Sequence, residues 1–228
     1  MQTWSLSSRL WKLYKLFEIK KIMFLQYYRF IDIIKFVSLK TDINKKIKQL
    51  NLTGKPVIFI VTGNNSAGKT TICRKLIQDF DFYQSINLGV VSKMIRYFRP
   101  DINSSSLENF DGNEATSIFK NLVRVIIGAY SGTGVNLIID GVQIDTKEML
   151  KENRVIGVVV LKISPTLSVY RGNKPDTHFK RQLSRLDLKH IKYWANSKFK
   201  IVNNEGRLDN TYHEVIIHLN GLLDDNIN

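Results

Sequence analysis

The chain is short of cysteine, of acidic side chains and of long apolar runs, and each shortage narrows what it can be. Cys73 is the single cysteine among 228 residues. An internal disulfide framework is therefore excluded, and a reducing, cytoplasmic setting is the expectation. The four histidines show no metal-ligand spacing. The most apolar stretch, "IMFLQYYRFIDIIKFVSL", is broken by Gln26, Arg29, Asp32 and Lys35, which argues against a membrane span. No uninterrupted apolar core followed by a small-residue cleavage site opens the sequence, so no signal peptide is expected.

Acids number 20 against 34 Lys and Arg, a net charge of +14. The excess is concentrated. Residues 1–53 carry eleven Lys or Arg against Glu18, Asp32 and Asp42, a net +8. Residues 171–200 carry nine against Asp176 and Asp187, a net +7, which leaves −1 for everything else. Two basic segments on a neutral body attract phosphates, nucleic acid, anionic lipid or an acidic partner, and charge alone does not choose among them.

What is present is a chain 43% hydrophobic, enough for one substantial core plus an appendage. Residues 1–50 read as basic and helical, with Leu10, Leu13, Tyr14 and Phe17 at helical spacing. "NLTGKP" ends that pattern, which sets an extension at 1–53 and a second domain at 54–228. From Val57 on, short apolar runs ("VIFIVT", "INLGVV", "VNLIID", "VIGVVVLKI", "FKIVNN") alternate with helical stretches such as "KTTICRKLIQDF" and "NTYHEVIIHLNGLL". This alternation predicts an α/β fold, a parallel five-stranded sheet covered by helices on both faces, with an N-terminal helical extension.

"GNNSAGKTT" satisfies the pattern G-x-x-x-x-G-K-[ST] between an expected strand and an expected helix. Gly63, Asn64, Asn65, Ser66, Ala67, Gly68, Lys69, Thr70 and Thr71 are thus the candidate nucleotide-binding residues. Glycines let backbone N–H groups curl around a phosphate, and the helix end adds its positive dipole. Lys69 would reach the β and γ oxygens, and Thr70 would place a hydroxyl on Mg²⁺. The second metal-binding candidate is Asp140, directly after the apolar run of "VNLIIDG". ATP and Mg²⁺ are the expected cofactors.

The tetrapeptide "NKPD" at 173–176 has the form by which GTPases read guanine. Its distance from "VVVLKI" and the absence of glycine at the fourth position of "DGVQ" argue against a GTP switch. A kinase instead needs cations on both sides of the phosphoryl group and a shield from water. Arg181 and Arg185, four apart, would share one face of a lid helix within about 171–198, close to Arg171, Lys174 and Lys180. With Lys69 and Asp140 they are the catalytic candidates. Lys93, Arg96 and Arg99 would line the side of an acidic or phosphorylated acceptor, and Gln143 would orient it. Asp140 leads Glu108, Asp111 and Glu114 as candidate base, and Asn203 and Asn204 are placed near an adenine or in a turn.

Taken in order, "GNNSAGKTT", "VVSKMIRYFR", "LIIDGVQ" and "THFKRQLSR…IKYWANSKFKIVNN" resemble 2-phosphoglycerate kinase and related small P-loop kinases over roughly residues 56–220. That resemblance implies a nucleoside-kinase-like fold, ATP with Mg²⁺, and phosphoryl transfer to a small hydroxyl-bearing acceptor. The resembled pattern carries an acid two residues before the Ile-Arg pair, where this chain has Lys93. The charge keeps a polynucleotide 5′-hydroxyl kinase as one alternative. A nucleotide-gated binding protein or GTPase without small-molecule transfer is another. Residues 1–50, with Trp4 and Trp11 among basic residues, suit an anionic membrane surface or a nucleic acid strand, or else pack as an added helical layer.

Overall fold

A computed structural model describes residues 15, 18, 21, 34–63, 66–98, 118, 121–122, 125–126, 128–130, 133–141, 155–172 and 199–227. The chain divides into two compact units, Met1–Asp42 and Ile43–Asn228. In the first, the described residues are helical, and Lys40 lies over the Phe36 ring, 4.5 Å from its centre.

The second unit is built on β1 (Val57–Gly63), β2 (Gln84–Asn87), β3 (Leu137–Asp140), β4 (Val155–Lys162) and β5 (Phe199–Asn203). All neighbours are parallel and the order is β2-β3-β1-β4-β5. The expected five-stranded parallel sheet is therefore observed. β1 is central, and Val57 to Val61 are wholly buried, which is why its sequence is continuously apolar rather than alternating.

Helices cover both faces. Helix α1 (residues 34–52) enters this unit with Ile43, Ile47 and Leu50 buried on one stripe. Lys46 binds Asp224 at 2.5 Å and Asn220 at 2.9 Å, tying α1 to the last helix. Helix α2 (Lys69–Asp79) buries Ile72, Cys73 and Leu76. Helix α3 (Leu88–Phe98) buries Leu88, Val91 and Ile95 against Ile58, Ile60, Leu137, Ile139, Val158 and Val160. Helix α4 (Pro165–Gly172) follows β4, and helix α5 (Leu208–Ile227) packs Val215, Ile216, Leu219 and Leu223 inward. Each fully buried aliphatic side chain contributes about 1.5–3 kcal/mol. A Cβ on Gly157 would lie 2.2 Å from Leu222, so glycine in β4 sets how closely α5 approaches.

One element differs from its sequence expectation. "INLGVV" reads as a strand, but its strand ends at Asn87 and "LGVV" opens α3. The side-chain oxygen of Asn87 accepts from Val90 N at 3.1 Å and caps that helix, so the apolar residues follow a helical stripe. The stretch "SPTLSVYRG" forms α4. Ser164 Oγ accepts from Leu167 N at 3.4 Å, and Pro165 occupies the first helical position, where its missing N–H costs nothing. Among the described residues no helix is long and apolar enough to cross a membrane.

Candidate nucleotide and metal site

The site forms at the carboxyl end of the sheet, where β1 turns into α2. Gly63 has φ 130°, and a Cβ there would stand 1.9 Å from the Leu161 carbonyl oxygen. No other residue fits so close to β4. Ser66 follows at φ 60° and Gly68 at φ 84°, so the loop uses left-handed backbone twice around Ala67. Helix α2 begins without a side-chain cap and without an acid in its first turn. Its opening N–H groups and positive dipole end are therefore not neutralised by a side chain of the helix start, which suits a phosphate.

Lys69 Nζ donates to the Gly63 carbonyl at 3.1 Å, bridging the loop. Burial lowers its pKa to about 8, and the nearby Asp140 charge opposes that shift. At neutral pH it remains mostly cationic. Thr70 Oγ1 donates to Asp140 Oδ2 at 2.6 Å, joining the start of α2 to the end of β3. Asp140 is 3% exposed. Burial raises its pKa, while bonds from Thr70 and Asn87 and the charges of Lys69 and Arg74 hold it down.

These donors fit the expected ligands. A hydroxyl beside one carboxylate suits Mg²⁺, which takes one or two protein oxygens and keeps several waters. Among the described residues no group of three or more His, Cys, Asp and Glu side chains forms a metal site, as zinc would want. The glycine cradle and the uncapped helix start suit the phosphates of ATP.

Asn87 is a member of this site that the sequence reading did not single out. It ends β2 in register with Asp140, and its Nδ2 donates to Asp140 Oδ2 at 2.8 Å. The signal was an asparagine directly before the apolar start of α3, but only the order β2-β3 makes it Asp140's neighbour. Asn204 was placed near an adenine or in a turn. Its side chain instead donates to the Ala67 carbonyl at 2.7 Å and accepts from Thr211 Oγ1 at 2.8 Å, within the P-loop's support. Arg171 donates to the Asn204 carbonyl at 2.9 Å. Cys73 is buried as expected, and burial together with Asp140 raises its thiol pKa well above the ordinary value.

The structure thus brings together Gly63, Ser66, Ala67, Gly68, Lys69, Thr70 and Asp140, with Thr71 exposed in the first turn of α2. Lys93 is exposed on α3, and Arg96 lies on the same helix. Asn64, Asn65, Arg99, Gln143, Arg181 and Arg185, like Glu108, Asp111, Glu114, Lys174 and Lys180, lie outside the described residues.

No protein-family model matches the sequence, and no curated protein matches it. Solved structures do share its fold. A sugar kinase from Janibacter sp. HTCC2649 has a TM-score of 0.51 at 14% identity over 72% of this chain and 94% of that one. A gluconokinase from Sinorhizobium meliloti 1021 has a TM-score of 0.54 at 13% identity over 75% and 95% respectively. The chain has the fold of the P-loop kinases. Neither structure is described as a 2-phosphoglycerate kinase.

Proposed function

We propose that the chain is a phosphotransferase that uses ATP and Mg²⁺ to phosphorylate a hydroxyl of a small acidic or phosphorylated acceptor. The observation that carries this reading is the bond from Thr70 to Asp140 at the mouth of a glycine cradle. It couples a phosphate-binding loop to a carboxylate on the neighbouring strand, inside a fold shared with structures described as a sugar kinase and a gluconokinase.

The division of labour follows from charge. N–H groups of the loop and of the α2 start receive the β-phosphate, and Lys69 neutralises oxygens farther along. Thr70 and Asp140 would hold Mg²⁺, which would offset the charge of the phosphates. Asn87 fixes the Asp140 carboxylate with its amide, so the carboxylate need not reorient when ligands arrive. Asp140 is also the leading candidate to receive the acceptor's proton. Lys93, Arg96 and Arg99 supply positive charge on the acceptor side, and Gln143 orients the acceptor. Arg181 and Arg185 close over the transferring group from a lid. The likeness to 2-phosphoglycerate kinase in motif order supports an acceptor that already carries acid or phosphate.

The test is transfer of the γ-phosphate of labelled ATP across a panel of hydroxy acids, sugar acids and sugar phosphates, with a 5′-hydroxyl oligonucleotide as a separate arm. Label on a small acid or phosphate ester is the expected outcome. Label on the oligonucleotide alone would favour the polynucleotide kinase. ATP binding without transfer to any acceptor would favour a nucleotide-gated binding protein that contacts nucleic acid or an anionic membrane through residues 1–50.

A further inference from the structure

Asn204 follows β5 and is 3% exposed, and all its polar groups are engaged. Its N–H donates to the Lys162 carbonyl at the end of β4 at 2.8 Å. Its carbonyl accepts from Arg171 at 2.9 Å, its Oδ1 from the Thr211 hydroxyl at 2.8 Å, and its Nδ2 donates to the Ala67 carbonyl at 2.7 Å. A carbonyl only accepts, so the amide nitrogen must face Ala67 and the amide oxygen must face Thr211.

A loop that turns its N–H groups toward an anion must turn carbonyls the other way. The Ala67 carbonyl is the case in point, because Ala67 is fully buried and water cannot serve it. The backbone on either side is left-handed, at Ser66 and Gly68. Ser66 holds that conformation only because its surroundings impose it. A Cβ at Gly68 would stand 2.8 Å from Asn204 Nδ2, so glycine there also admits the amide.

We propose that Asn204 is a positioning residue for the phosphate cradle: from behind, it sets the shape of the loop at Ser66, Ala67 and Gly68 before ligand arrives and does not read the base. The inference rests on the kinase reading for the nature of the ligand. Without the Asn204 amide, the cradle spends part of its time in shapes that do not fit phosphate, and affinity falls by the fraction lost. The loss is the same for any ligand that uses the cradle, whether or not it carries a nucleoside.

The probe is therefore inorganic tripolyphosphate, which has the phosphates of ATP and no base. Titration calorimetry of the full chain with each ligand, in Mg²⁺, is run on wild type, Asn204→Ala, Asn204→Asp and Thr211→Val, with thermal melts giving the folded fraction. Asn204→Ala should weaken both ligands by the same factor, on the order of tenfold. Asn204→Asp should weaken both further, because a carboxylate oxygen then opposes the Ala67 carbonyl. Thr211→Val keeps Asn204 and frees only its Oδ1, so both ligands should weaken by a smaller common factor even if the Asn204 variants fail to fold. ATP weakened with tripolyphosphate unaffected would overturn the proposal in favour of a base contact. Folded variants that bind both ligands as wild type does would overturn it outright. A wild type that binds neither ligand would remove the kinase reading itself, and this proposal with it.

Discussion

Asn136 and Asn204 stand at opposite ends of the sheet, each 3% exposed. Asn136, just before β3, accepts from Val57 N at 2.8 Å and donates to the Asp81 carbonyl at 3.1 Å, pinning the start of β1 to the approach of β2. Asn204 makes comparable bonds at the other end, but its amide holds the P-loop. Burial and saturation are alike, and only what lies on the far side of the bond separates them. Of the five buried polar residues among the described ones, Thr62, Asp140, Asn204 and Thr211 belong to the carboxyl end and its adjoining helices. Polar groups are costly inside a core, so their concentration there supports the proposed phosphate site at that end.

The largest effect that would sharpen this contrast is expected from Lys69→Ala at the carboxyl end. Turnover should fall by at least about 10²-fold, as when one preorganised cation or donor is removed, while the melting temperature changes little. Steady-state transfer assays and thermal melts check both halves. Asn136→Ala should do the reverse. It strands the Val57 N–H and the Asp81 carbonyl, destabilising the fold by about 2–4 kcal/mol in urea melts, with nucleotide affinity per folded molecule unchanged. A large loss of affinity in that variant would break the comparison.

Asn87→Asp turns an attraction into a repulsion. An aspartate keeps the oxygen that caps α3, but sets a second carboxylate against the buried Asp140 in place of the amide. Thermal stability should fall in metal-free buffer and recover with Mg²⁺, and the Mg²⁺ concentration needed for half-maximal nucleotide binding should change several-fold, read by calorimetry at fixed ATP. The smallest effect lies far from the cradle. His218 Nε2 sits 3.1 Å from the Val158 carbonyl, and burial lowers the ring's pKa below 6.5, with the Lys200 charge adding to the shift. Below 6.5 and down to the folded value, the unfolded chain takes up a proton that the folded chain refuses, so stability falls as the pH drops through that window. His218→Gln should flatten that slope in urea melts between about pH 7.5 and about pH 5.5.

Much of this was legible in the sequence. The β-branched runs gave β1, β3 and β4, since parallel strands buried on both faces leave a continuous apolar signal. The P-loop could be read because Gly63, Gly68, Lys69 and Thr70 are adjacent in the chain, and Asp140 because it ends a strand. Asn87 could not, because its role depends on β2 lying beside β3, and strand order is not written in any local pattern. Asn204 was noticed but left between an adenine contact and a turn, because the loop carbonyl that it serves is 137 residues away in sequence.

The most direct test of the central claim is titration calorimetry of the full-length chain with ATP in the presence of Mg²⁺, run on wild type and Lys69→Ala side by side. The account predicts saturable heat from wild type at one site per chain, strongly reduced in the variant. No heat from wild type, or the same isotherm from both proteins, would contradict it.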